Sequence, residues 1–100
     1  MTTFQFAAEA EADVDSILAY SLAAWGDLQT RRNLDGLYEL LMLLADNPGI
    51  GRHSPEISND VRSHIHRQRA IFYVEVATGI RVLGILHSRQ DVNSAFSGSP

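Results

Sequence analysis

The chain has 100 residues, 45% of them hydrophobic and 20% charged, the size and balance of one globular domain. It contains no cysteine, which excludes disulfides and thiolate metal sites and fits a reducing compartment. Its formal net charge of −4 lacks the basic excess that drives sequence-independent nucleic-acid binding.

That total hides an asymmetry. Residues 1–50 carry eight acids and two arginines, a balance of −6, whereas residues 51–100 carry four acids and six arginines, a balance of +2. Every basic residue is arginine. No apolar run is long enough to cross a bilayer. The opening "MTTFQFAAEAEADVD" has neither the basic start nor the apolar core of a signal peptide, so a cytoplasmic location is expected.

In chain order, "TFQF" alternates polar and apolar and predicts a short strand with Phe4 and Phe6 on one face. The period then changes. Ala10, Val14, Ile17, Leu18, Ser21, Leu22 and Trp25 recur at steps of three and four, one stripe of an amphipathic helix. Glu9, Glu11, Asp13 and Asp15 crowd its first turns, where the helix dipole favours negative charge. Gly26 supplies a stop, and Asp27 is placed to cap the next helix. That helix runs from about Leu28 to Asp46, with Leu34, Leu37, Tyr38, Leu40, Leu41, Leu44 and Ala45 on its apolar face. The short connection predicts an antiparallel helical hairpin.

"NPGIG" ends the second helix, and the polar residues 52–60 read as a loop. From Val61 the period returns to two. "VRSHIHR" puts Val61, Ser63 and Ile65 on one face and Arg62, His64 and His66 on the other. "AIFYVEV" has the β-branched and aromatic content of a more central strand. Gln68 and its neighbours form one tight turn, and "ATG" at 77–79 forms another, with Gly79 free to take positive φ. "IRVLGILH" is apolar on both faces apart from Arg81, as for a strand covered on both sides. The order β-α-α-β-β-β predicts an α+β domain over residues 1–96, a helical hairpin packed on an antiparallel sheet, with 97–100 a frayed tail.

Several residues are candidates for chemistry. His64 and His66 share a strand face, and His87 is a third imidazole within reach. A single H-x-H is undemanding, however, and no carboxylate pattern completes it, so no metal or cofactor is expected. Arg62, Arg67, Arg69, Arg81 and Arg89 all fall on or beside the last three strands. They suit either phosphate or carboxylate recognition, or simply a solvated sheet face. Trp25, Tyr38 and Tyr73 sit in apolar patterns that favour core packing, with Trp25 also placed to lock the hairpin turn. His87, Arg89 and Asp91 would share a face as an acid–base group only if the strand continued past Ser88. A bend there leaves no more than a surface ion pair.

Taken together, "AEAEADVDSILAYSLAAWG", with Ala12, Asp13, Ile17, Tyr20, Trp25 and Gly26, then "LLADNPGIGR", "VRSHIHRQRAIFYVE" and "IRVLGILHSRQD", resemble the ParE-type toxins of bacterial toxin–antitoxin pairs, within the RelE/ParE superfamily. The resemblance spans roughly residues 4–96. It departs at the start of helix one, where many relatives have a serine or threonine cap and this chain has Ala7 and Ala8, a loss of about 1 kcal/mol.

The resemblance implies two activities. RelE-like members cut mRNA on the ribosome and are similar to one another in a basic groove and a C-terminal tyrosine or His-Tyr pair. Here His87 is followed by Ser88 and no tyrosine follows Tyr73, so Arg62, Arg81 and His87 make an incomplete nuclease set. ParE-like members instead inhibit DNA gyrase without catalysis, which this sequence suits better. A degenerate toxin that only binds its antitoxin is the third reading. The resemblance also implies a cognate ParD-like antitoxin in a hetero-oligomeric complex, no cofactor, no membrane and no direct sequence-specific nucleic-acid binding. Arg62, Arg67, Arg81, His87 and Arg89, within the strands and the segment 87–96, are the candidate target contacts. Trp25, Leu28 and Tyr38 are the candidate antitoxin contacts, and no catalytic residue is expected.

Overall fold

The computed structural model describes residues 2–87, the last of them by its backbone alone. Strand β1 (Thr3–Phe6) leads into the helical stretch α1 (Ala8–Asp46), a single turn of 3-10 helix (Pro48–Ile50) and the strands β2 (Arg52–His53), β3 (Val61–His66), β4 (Arg69–Val76) and β5 (Gly79–His87).

The helical stretch is two helices. Gly26 interrupts it with φ 81° and ψ −179°, a region open essentially to glycine alone. The arms on either side then reverse direction. Thr30 and Ser21 hydrogen-bond at 3.0 Å, whereas nine residues of continuous helix would hold them about 13 Å apart. The expected helical hairpin is therefore present. Its first turn is acidic at Glu9 and Glu11, and Ala7 makes no side-chain cap. The Ala7 N–H bonds instead to the Val82 carbonyl at 2.9 Å.

The sheet has five strands in the order β1-β5-β4-β3-β2. Strands β3, β4 and β5 form the expected meander. In two respects the sheet differs from expectation. It is mixed, because β1 pairs parallel with β5, Thr3 opposite Gly79 and Phe6 opposite Val82. The helical hairpin carries the chain back across one face, so β1 and β5 run the same way; alternation within β1 says nothing about direction. Secondly, Arg52 and His53 are not loop but a two-residue edge strand opposite Ser63 and Arg62.

Two apolar clusters cover the two faces. On the helix side Ala10, Leu37, Leu41 and Leu44 pack on Ile71, Tyr73, Ile80, Val82 and Ile85. On the other side Val61, Ala70, Phe72 and Leu86 gather beneath Ile57. Strand β5 supplies both, and its register shifts within the strand: Phe72 lies opposite Gly84 but Tyr73 opposite Val82. Leu83 is thus an extra residue, a bulge that brings Ile85 to the same face as Val82.

The connection from helix to sheet is fastened to Tyr73, which is fully buried. Its hydroxyl donates to the Pro48 carbonyl at 2.7 Å and accepts from the Gly51 N–H at 2.8 Å. Arg62 then donates to the Gly51 carbonyl at 2.7 Å. Burial pushes the Tyr73 phenol above its usual ionisation range, against the opposing Gly51 hydrogen bond and the Arg62 charge. No helix among the described residues is long and apolar enough to cross a membrane.

Candidate functional site

The apolar stripes of the two helical arms converge on a polar pair near the hairpin tip. Ser21 and Thr30 are buried, and the Ser21 hydroxyl accepts from Thr30 Oγ1 at 3.0 Å and Asn33 Nδ2 at 3.4 Å. Gln29 donates in turn to the Asn33 side-chain oxygen at 3.1 Å. Buried hydroxyls need such partners, and these fix the two arms to one another.

Between this end of the hairpin and the β3–β4 turn lies a cleft. Its floor is apolar, made by Leu34 and Leu37 from the helix and Ile71 and Ile85 from the sheet. Its mouth is aromatic and cationic, with Tyr20 and Trp25 facing Arg67 and Arg69. The turn that presents these arginines is tight, for His66 pairs with Arg69 and only Arg67 and Gln68 lie between them. Arg67 has φ 58°, and among the described residues no other non-glycine residue has positive φ.

His66 lines the same cleft. Its Nε2 is buried without a hydrogen-bond partner. Burial first, and then the positive charges of Arg67, His64 and Arg69, hold its pKa below the ordinary 6.5, so the neutral ring is favoured.

Among the described residues the expected target contacts do not form one patch. Arg67 is exposed at the turn. Arg62 lies on the helix face, half-buried and bonded to Gly51. Arg81, between the core residues Ile80 and Val82, projects from the opposite face. The His87 backbone stands opposite Arg69; Arg89 and Asp91 lie outside the described residues.

Of the expected antitoxin contacts, Trp25 and Leu28 are 63% and 64% exposed at the hairpin tip. Tyr38 is 58% exposed and meets Phe4 edge-on with ring centroids 5.3 Å apart, away from the cleft. The core packing favoured for Trp25 and Tyr38 by their apolar patterns is therefore incorrect, and holds for Tyr73 alone. Among the described residues no group of three or more histidine or carboxylate ligands could hold a metal ion.

Sequence reasoning passed over His66 as a cleft residue and missed Gln29 and Asn33 altogether. A signal was present: Ser21 is a polar residue within an otherwise apolar stripe, and Thr30 and Asn33 stand at helical spacing on the facing arm.

Comparison with known proteins now gives this geometry a family. Residues 4–92 match the family model described as ParE toxin of type II toxin-antitoxin system, parDE. The chain is 31% identical over 93 residues to Toxin ParE of Escherichia coli, covering 92% of this chain and 90% of that protein. It is 23% identical over 94 residues to Toxin ParE1 of Caulobacter vibrioides, covering 94% and 97%. Among solved structures it resembles a chain of the chromosomal ParDE TA system from P. aeruginosa, with a TM-score of 0.70 at 19% identity, over 87% of this chain and 96% of that one. The chain belongs to the ParE toxin family of type II toxin–antitoxin systems.

Proposed function

We propose that this toxin inhibits DNA gyrase by binding, without catalysing hydrolysis, in the bacterial cytoplasm, and that a ParD-like antitoxin neutralises it. The observation that carries the non-catalytic reading is the state of Tyr73. It is the last tyrosine of the sequence, and its hydroxyl is buried and held by Pro48 and Gly51. A group locked between two backbone partners is not available to exchange a proton with a 2′-hydroxyl, which general acid–base cleavage of RNA requires. Poisoning a target needs only a complementary surface. The family match and the solved ParDE system support an antitoxin partner for this chain, and the exposed Trp25 and Leu28 offer it apolar anchors at the hairpin tip.

Purified toxin added to gyrase is expected to block supercoiling or accumulate cleaved DNA, with reversal on adding the cognate antitoxin. Full gyrase activity at saturating toxin would overturn the target. Primer extension on translated mRNA provides the contrast, since cuts within codons in the ribosomal A site would make the protein an RNase instead.

A further inference from the structure

Toward its β2 edge, the helix-side face of the sheet changes character. The helical hairpin packs on β1 and β5, whereas β2 and β3 present guanidinium and imidazole groups on that side. Arg62 and His64 share it with their cross-strand partners Tyr73 and Ile71, which belong to the helix-side core. His53 stands opposite Arg62 on β2. At the other end of β3, Arg67 lies in the turn and Arg69 opens β4.

These five residues form one cationic band on an acidic protein. The stretch "VRSHIHRQR" at 61–69 holds three arginines and no carboxylate, in a chain of net charge −4. Among the described residues, the side chains of His53, His64, Arg67 and Arg69 have no hydrogen-bond or ion-pair partner. Arg62 gives one of its several donors to the Gly51 carbonyl at 2.7 Å. That bond holds the guanidinium in place and leaves its charge unpaired, since a carbonyl carries no formal charge.

Strand geometry sets the spacing. Arg62 pairs with Tyr73, four residues along β4 from Arg69, so the two arginines stand about 13 Å apart along the strands. One strand of duplex DNA carries a phosphate about every 3.4 Å along its axis, so the band spans about four phosphates. The apolar residues of β3, Val61 and Ile65, face the other way, toward the cluster of Ala70 and Phe72. A peptide partner draws most of its affinity from buried apolar anchors, and the band offers none on β3. A phosphate backbone is held by charge and hydrogen-bond donors alone.

We propose that this band holds the sugar–phosphate backbone of the DNA on which gyrase acts, by charge-assisted contacts from Arg62, Arg67 and Arg69 and hydrogen bonds from His53 and His64. The proposal rests on the gyrase reading of the function and extends it from a protein target to the nucleic acid beside it. Backbone contacts carry no sequence preference. Three arginine contacts bind weakly by themselves, and DNA held next to the toxin on gyrase supplies a high effective concentration.

The test uses the full chain with a fluorescein-labelled duplex of about four helical turns, a second duplex of scrambled sequence, an oligouridine and poly-glutamate. Anisotropy between about 50 mM and 200 mM salt should give a slope of log affinity on log salt of about −3. Arg67→Asn, which suits the positive φ of the turn, and Arg69→Gln should each weaken binding by about threefold or more and reduce that slope by about one. Arg52→Gln removes the same charge from the outer face, where Arg52 stands opposite Ser63, and should leave binding within about twofold of wild type. Circular dichroism confirms the fold of each variant. A strong preference between the two duplexes, tighter binding of oligouridine or poly-glutamate, or an equal loss in Arg52→Gln overturns the proposal.

Supercoiling assays separate the two levels. The double variant Arg67→Asn/Arg69→Gln should need about tenfold more toxin than wild type to inhibit gyrase, the product of the two single losses. If it inhibits as potently as wild type, the band proposal fails and the gyrase reading stands. If the duplex binds through the band but wild-type toxin leaves gyrase fully active, the assignment of that DNA to gyrase fails.

Discussion

The carboxylate of Asp13 accepts a hydrogen bond from the backbone N–H of Ile85 at 2.9 Å, joining residues 72 apart in sequence. Strand β1 covers β5 only as far as Val82 and then turns into the helix, leaving the next stretch of that edge unpaired by a strand. The first helical arm supplies the missing acceptor. Asp13→Ala leaves this part-buried N–H without it and is expected to lower the unfolding free energy by about 1–3 kcal/mol. Asp13→Asn keeps a neutral acceptor and should lose about half as much. Urea denaturation of the three proteins measures both.

Tyr73→Phe deletes the hydroxyl that fastens the helix-to-sheet connection. It strands the buried Gly51 N–H and removes the donor to the Pro48 carbonyl. A loss of about 2 kcal/mol is expected, from the cost of leaving such groups unpaired. Hydrogen exchange at Gly51 should quicken more than exchange at Ile71 in the same strand as Tyr73. Equal protection in wild type and variant would show that the hydroxyl does not hold this connection.

Three glycine substitutions separate conformational need from composition. Gly26→Ala forces alanine into φ 81° and should cost about 1–3 kcal/mol. Gly79→Ala should cost more, because φ is 142° and an added Cβ would also overlap the backbone of Thr3 on the parallel neighbour β1. Gly36, by contrast, lies within the second helical arm with open space around a Cβ. Gly36→Ala should stabilise by about 0.5–1 kcal/mol. Thermal melts rank the three, and a stable Gly79→Ala would refute the close approach of β1 to β5.

The His66 pKa is held below 6.5 in the folded protein, so between its folded and unfolded values the unfolded chain binds more protons. Stability should therefore be fully present above about pH 6.5 and decline as pH falls towards the folded value. The melting temperature of His66→Gln should fall less between pH 7.5 and pH 5 than that of wild type. Parallel curves would show that other groups dominate the acid response.

Much of this architecture was legible because short-range rules govern it. The change of period at Ala8, the stop at Gly26, the turns around Gln68 and at 77–79, and the alternation of β3 all follow from side-chain spacing. What escaped were relationships between distant segments. The alternation in "TFQF" is the same for a parallel and an antiparallel partner, so the pairing of β1 with β5 was invisible. Arg52 and His53 are too few to show a period, and β2 passed for loop. The arginines of the last strands looked like one group until strand alternation sent Arg81 to the opposite face from Arg62 and Arg69. Trp25 and Tyr38 fitted apolar stripes, yet a stripe wider than the sheet it covers leaves its margins in solvent.

The bulge at Leu83 has a consequence for sequence change in this family. Ahead of it, even-numbered residues of β5 face the helices, as Ile80 and Val82 do; beyond it the odd-numbered Ile85 does. Deleting Leu83 would therefore restore a regular ladder, with Val82 still opposite Tyr73 and Gly84 still opposite Phe72, and would not exchange the faces of the strand's second half. Ile85 would remain on the helical core and Leu86 on the opposite face, because Val82, Gly84, Ile85 and Leu86 would then simply alternate. An alignment gap at this one position removes a bulge and keeps the pattern of faces, whereas a gap at Ile85 would turn Leu86 onto the helical face.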